Sequence, residues 1–171
     1  MPFTPLHLGF GILLAALLSF LDPFSIIVGS VAPDIEGAMV VFFFPFSGLP
    51  LHGFLHSFLG AFLLGMLTGL FSYGGLKFTK LANILQDHLS MNITLGKSAI
   101  SGIIGTFSHI FLDVTLYTDM NPFFPLIGNP FYGIVNNTLP LFFCMLGFFV
   151  GVPLFLIMLT FRLKKSKSIS K

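Results

Sequence analysis

The sequence predicts an all-α membrane protein, a multi-pass transmembrane helical bundle of about five spans. Of its 171 residues, 55% are hydrophobic and 8% are charged, whereas roughly a quarter of an ordinary soluble domain is charged. The mean hydropathy is +0.98. So few charges cannot cover a surface in water, which excludes a soluble globular protein. A spanning helix takes about 20 residues, so five spans leave only short loops.

Apolar runs interrupted by proline, glycine and polar clusters give the candidate spans: 5–21, 24–45, 50–75, 97–117 and 138–162. They form a single transmembrane domain, 1–162, followed by a basic tail, 163–171. The first run lacks the basic start of a signal peptide, so we expect it to be retained as a helix. In the second, Pro33 frees a backbone carbonyl and predicts a kink or break just before Asp34.

The distribution of basic residues predicts the orientation. The polar stretch 76–96 contains Lys77 and Lys80, whereas 118–137 contains three prolines and no basic residue. By the positive-inside rule, 76–96 and the C-terminal tail are cytoplasmic, and the N-terminus and 118–137 lie outside. The expected location is therefore the cytoplasmic membrane. In the polar stretch 76–96, His88 follows Asp87, and we expect it to be solvated.

The net charge of +2 does not indicate a nucleic-acid partner. Five of the eight basic residues lie within 162–171, where a juxtamembrane anchor to membrane lipids explains them. The single cysteine, Cys144, lies in an apolar run. A disulfide or a cysteine-based metal site within one chain is thereby excluded.

Most ionisable residues outside the tail and the polar stretch lie inside the predicted spans. They are His7, Asp34, Glu36, His52, His56, His109 and Asp113. Each unpaired charge at mid-bilayer costs about 2.5–3.5 kcal/mol on insertion scales. Several such residues together therefore require a common explanation.

Two four-residue spacings suggest metal ligands. His109 and Asp113 would share one helical face about 6 Å apart along the axis, and His52 and His56 repeat that spacing. One face of a helix can thus present two donors to one ion. Small residues accompany His109 on its face: Ser98, Gly102, Gly105 and Thr106. Small residues allow neighbouring helices to approach closely.

In the predicted orientation, the histidines and Asp113 converge near the outer side. Asp34 lies deeper, but unwinding at Pro33 would let its carboxylate reach the others. This nitrogen and oxygen set suits a divalent ion; without thiolates zinc is favoured, with manganese or iron as alternatives. Asp34 or Glu36 could act as the base, and Glu36, on another helical face, could instead meet the interface or a second ion.

Five segments carry a family resemblance: MPFTPLHLGFG, SVAPDIEG, PLHGFLHSFLGA, SHIFLDVTLYTDMNPFFP and GNPFYG. Over residues 1–133 the chain resembles the YdjM-type family of membrane-bound metal-dependent hydrolases, also described as LexA-binding inner-membrane-associated hydrolases. The resemblance implies functional residues in Pro-Asp, His-x-x-x-His-Ser and His-x-x-x-Asp motifs, here Asp34, His52, His56, Ser57, His109 and Asp113.

That family is in turn distantly similar to zinc-dependent phospholipase C and P1 nuclease. The similarity implies these metal ligands: His7, Asp34, one of His52 and His56, His109 and Asp113. Gly53 stands where the family frequently has arginine, so an arginine clamp on phosphate is not implied here.

The sequence thus favours a metal-dependent hydrolase acting on an anionic, lipid-like phosphoester at the outer side of the membrane. A metal-ion or proton transporter is an alternative, because intramembrane histidine and aspartate also relay ions. The inner halves of the predicted spans are almost wholly apolar, which disfavours it. A non-catalytic membrane scaffold is the third hypothesis, and the sequence leaves the oligomeric state open.

Overall fold

The computed structural model describes residues 6–78 and 92–169, and these form a helical bundle. In chain order the helices are α1 (Leu6–Leu17), α2 (Pro23–Gly29), α3 (Asp34–Phe43), α4 (Phe58–Phe78), α5 (Leu95–Asp113), α6 (Thr138–Leu146) and α7 (Val152–Ile169). A 3-10 turn (Phe54–His56) precedes α4, and a π-helical turn (Gly147–Gly151) joins α6 to α7. The described residues contain no strand, as the predicted all-α class requires.

Within the described residues, three helical segments are long and apolar enough to cross a membrane: Phe58–Lys77, Leu95–Asp113 and Thr138–Lys164. The bent pair α2 and α3 makes up to four if it counts as one span. Helix α1 has 12 residues and rises about 18 Å, short of the roughly 30 Å hydrocarbon core. The five predicted spans are therefore found only in part.

The predicted interruption of the second span is present. Helix α2 ends at Gly29, α3 begins at Asp34, and the two are bent by 44°. At its start, α2 is capped by Asp22, whose carboxylate accepts from the backbone N–H groups of Phe24 and Ser25, with Pro23 in the first turn. The break leaves Asp34 at the first position of a new helix.

Glycines bring the helices around α5 into backbone contact. A Cβ added at Gly102 would overlap the Gly65 carbonyl of α4, and one added at Gly29 of α2 would lie 2.7 Å from the Gly102 carbonyl oxygen. Near the start of α5, the buried Asp22 carboxylate accepts from the Ser98 hydroxyl, and its backbone N–H donates to Ser101. Close packing and this capping network fix α2 and α4 against α5.

Basic residues lie at the end of the bundle opposite to the last turn of α5. Arg162 donates to the Ser19 carbonyl, and both line a cleft with Lys97. Lys97 is twelve residues from His109 in the same helix, or about 18 Å. The predictions made for Lys80, Asp87 and His88 lie outside the described residues.

Candidate metal centre

Five acidic and histidine side chains from four elements meet at one end of the bundle. His7 lies in the first turn of α1, Asp34 begins α3, His56 ends the 3-10 turn, and His109 and Asp113 lie in the last turns of α5. All but Asp34 are buried. The regular helix of α5 puts His109 Nε2 3.1 Å from Asp113 Oδ2, as the predicted four-residue spacing requires.

Four of these residues could hold a metal ion. Each of Asp34, His56, His109 and Asp113 offers a ligand atom, and these atoms all lie within 4.8 Å of one another. His109 Nε2 is also 3.5 Å from Asp34 Oδ1. Two imidazoles and two carboxylates give a nitrogen and oxygen donor set that balances the charge of a divalent ion.

His7 lies at the edge of this group. Its Nε2 is 3.1 Å from Asp113 Oδ1, and its ring centroid is 4.1 Å from that of His109. The two imidazoles therefore lie against each other, and each contacts a different oxygen of the Asp113 carboxylate. A cavity of about 60 Å³ beside His7 and Asp113 is also lined by Tyr117 and Asn137, which is room enough for water at a polar wall.

Four buried polar atoms in this cluster make no hydrogen bond. Among the described residues, these unsatisfied atoms are His7 Nδ1, His56 Nε2, His109 Nε2 and Asp113 Oδ1. Asp113 Oδ1 and His109 Nε2 still have ion-pair contacts, each at 3.1 Å. An unsatisfied buried polar group costs about 1–3 kcal/mol, so the remaining two nitrogens, on His7 and His56, are unfavourable in an apolar bundle. Three of the four belong to residues of the metal-competent group, and a cation would satisfy lone pairs on these atoms. The residues present therefore fit a metal ion.

The Nδ1 atoms of His56 and His109 each lie within hydrogen-bond distance of an acceptor. His56 Nδ1 lies 2.9 Å from Glu36 Oε2, and His109 Nδ1 lies 2.8 Å from the Ser30 carbonyl. A proton on each Nδ1 leaves Nε2 as the lone-pair nitrogen. Carboxylate or carbonyl acceptors behind a ligating histidine orient the ring and raise its basicity. Both histidines therefore direct a ligating nitrogen into the cluster.

The segment 50–57 differs from the predicted helix. Helix α4 begins at Phe58, so His52 and His56 do not share a helical face. The backbone N–H groups of this segment bond to side-chain carboxylates and not to helix carbonyls. Glu36 accepts from the N–H groups of Gly53 and Leu55, and Asp119 accepts from that of His52. Gly53 allows this contact, since an added Cβ would lie 2.7 Å from Glu36 Oε1.

His52 lies beside the metal-competent group and outside it. Its Nδ1 is 2.9 Å from Asp119 Oδ1, and its ring stacks on Tyr117 with centroids 4.0 Å apart. Burial lowers the pKa of the His52 imidazole, and nearby His56 acts in the same direction. The ring centroids of His52 and His56 are 4.8 Å apart, so His52 forms part of the wall of the cluster.

Sequence reasoning missed Asp119 and the acceptor role of Glu36. Asp119 is the single acidic residue of 118–137, a signal that could have drawn attention to it. Glu36 was proposed as a catalytic base, and that role stays a prediction. Its contacts with two backbone donors and His56 are those of a positioning residue.

Comparisons of the chain with protein-family models, curated proteins and solved structures find no match. The resemblance to the YdjM-type family therefore stays a prediction.

We expect bound metal to depend on His56 and not on His52. Substituting His56→Ala or His109→Ala removes a ligand and should lower the metal content of the detergent-purified protein by at least about tenfold. The matched variant His52→Ala should keep its metal, because His52 pairs with Asp119. Elemental analysis measures the content, and circular dichroism verifies the fold. Equal metal in all three variants would rule out the assigned ligands.

Proposed function

We propose that this chain is a membrane-embedded, metal-dependent hydrolase that acts on a lipid or lipid-linked phosphoester. The observation that carries the proposal is one His/Asp group whose four ligand atoms lie within 4.8 Å of one another and whose cluster includes buried imidazole nitrogens without hydrogen bonds. A divalent ion compensates such a cluster, and a cluster of this composition is suited to hydrolysis. The resemblance to membrane-bound hydrolases favours the same class.

In this proposal Asp34, His56, His109 and Asp113 hold the ion, and His7 supports or supplements Asp113. Zinc is the preferred ion because the donors are imidazoles and carboxylates in a compact group. Manganese and iron accept the same donors and are the alternatives. His52 is the alternative to His56 as a ligand.

An ion bound there supplies Lewis-acid chemistry that polarises a phosphoryl or acyl oxygen and makes water a better nucleophile. The protein must also accept a proton. Asp34 suits this task because its side chain is 15% exposed, whereas that of Asp113 is 3% exposed. Glu36 fixes the imidazole of His56. One carboxylate oxygen of Asp34 can bind the ion while the other accepts the proton, so Asp34 is the proposed base and Glu36 the proposed positioning residue.

The position of the cluster supports a substrate at the outer membrane surface. The cluster lies where α4 begins and α5 ends, and Lys97 and Arg162 lie at the opposite end of the bundle. Positive residues mark the cytoplasmic side, so the cluster is proposed to face outward. We propose five spans with the N-terminus outside and the C-terminus in the cytoplasm, α1 being a short span.

Close packing disfavours the transporter alternative. The polar network at Asp22 lies near the start of α5, and the cluster lies near its end. Between them, Gly29 of α2 lies against Gly102 and Gly105 of α5. Backbones in contact leave no room for a water-filled path between these helices. The transporter and the scaffold are outcomes that the following experiments would reveal.

Purified protein should hydrolyse an amphiphilic phosphoester, lose that activity to a chelator and regain it with zinc or manganese. Asp34→Asn should lower kcat by at least about 100-fold if Asp34 accepts the proton. Lys97→Gln at the opposite end of the bundle is the control and should retain most activity. Phosphate release and metal content are measured on the same samples.

Retained metal with lost turnover in Asp34→Asn would identify a base, and lost metal would identify a ligand. Turnover that ignores the chelator would refute the metal-dependent hydrolase. So would metal-loaded protein that is inert toward phosphoesters and carboxylic esters alike.

Cysteine labelling tests the orientation. In a Cys144→Ala background, Ile127→Cys should react with a membrane-impermeant maleimide on intact cells, because Ile127 is 95% exposed and the loop is proposed to lie outside. Gly96→Cys at the start of α5, where an added Cβ meets open space, should react only after permeabilisation. Labelling of both positions from one side would contradict the orientation.

A further inference from the structure

An open groove of about 670 Å³ runs between the broken pair α2–α3 and α4. Its volume lies within the range of small-molecule sites. The lining residues are Val28, Val31, Ala32, Asp34, Ile35, Ala38, Leu64, Leu67, Thr68, Phe71 and Ser72. The break at Pro33 and the small side chains of Ala32 and Ala38 leave this space beside α4.

The groove is almost wholly hydrocarbon. The hydroxyl of Thr68 is satisfied within α4, where it donates to the Leu64 carbonyl. Among the described residues that line the groove, Asp34 alone is ionisable. An occupant of this groove therefore needs an apolar body and a polar group at the position of Asp34.

Asp34 also belongs to the metal-competent group, with Oδ1 3.5 Å from His109 Nε2. The groove and the cluster thus share one residue and adjoin each other at Asp34. From Leu64 to Ser72 the groove follows nine residues of α4, which rise about 12 Å along the helix. This shape suits an alkyl chain that extends from a head group held at the cluster.

We propose that this groove binds one alkyl chain of the lipid substrate while its phosphoester lies at the His/Asp cluster. The inference rests on the proposed function and adds the substrate's chain to it. Because membrane hydrocarbon is as apolar as the groove, the head group supplies the preference for substrate over bulk lipid. The groove holds the chain so that the scissile bond is oriented at the cluster.

A Trp-free chain permits a direct binding measurement. The sequence has no tryptophan. In Leu67→Trp, the introduced side chain lines the groove and is the only tryptophan of the chain, so its fluorescence reports on this position. Leu70→Trp is the matched control on α4: the native side chains are 50% and 43% exposed, and Leu70 does not line the groove. The probe is a non-hydrolysable long-chain alkylphosphonate with bromine midway along its chain, added to zinc-loaded protein in lipid nanodiscs.

The phosphonate should quench Leu67→Trp at a lower mole fraction than Leu70→Trp, because bromine is held in the groove. A chelator should remove the difference, because it releases the head group. Equal quenching of both proteins at every mole fraction would show ordinary lipid-facing surface and overturn the inference. If the protein forms a dimer in which the second copy shields Leu67→Trp from quenching by bromine, the inference is overturned as well.

Turnover separates this inference from the proposed function. Val28→Trp fills the groove and should lower the long-chain to short-chain ratio of kcat/KM by about tenfold. Val41→Trp on α3, outside the groove, should leave the ratio unchanged. An unchanged ratio in Val28→Trp, with active enzyme, would refute chain binding and keep the hydrolase. Selective quenching without turnover in any protein would keep chain binding and refute the hydrolase.

Discussion

The structure depends on placing carboxylates and imidazoles together inside an apolar bundle. Asp113 is 2% exposed, and its two carboxylate oxygens contact His7 and His109. A buried charge without partners costs several kcal/mol, so none of these three side chains is stable in its position alone. Their mutual contacts join the start of α1 to the end of α5. A cation held by the same side chains would meet the same need for compensation.

Backbone packing positions the cluster. Gly29 and Gly105 bring α2 against α5, and this approach lets the Ser30 carbonyl reach His109 Nδ1 at 2.8 Å. The capping network of Asp22 fixes the other end of α2. The break at Pro33 then aims Asp34 at the cluster and opens the apolar groove on its other side. One interruption in a helix therefore serves both the proposed metal centre and the proposed chain site.

Local pattern predicted part of the site. The face shared by His109 and Asp113 follows from helical periodicity, and the break follows from the missing N–H of Pro33. The contacts of Glu36 and Asp119 were beyond local reasoning, because they cross 17 to 67 residues of chain. Those two carboxylates accept hydrogen bonds from backbone N–H groups of 52–55. For this reason α4 begins at Phe58, several residues after the start of its apolar run. Three of the predicted spans, or four with the bent pair, are found in the described residues, because α1 is shorter than its apolar run.

X-ray absorption at the metal edge of the zinc-loaded protein tests the central claim most directly. We expect a shell of nitrogen and oxygen at about 2.0–2.2 Å, with imidazole scattering and no sulfur. The imidazole signal should shrink in His109→Ala and remain in His52→Ala. A shell without imidazole, or one with sulfur at about 2.3 Å, would contradict the assignment of the buried His/Asp cluster as a metal centre.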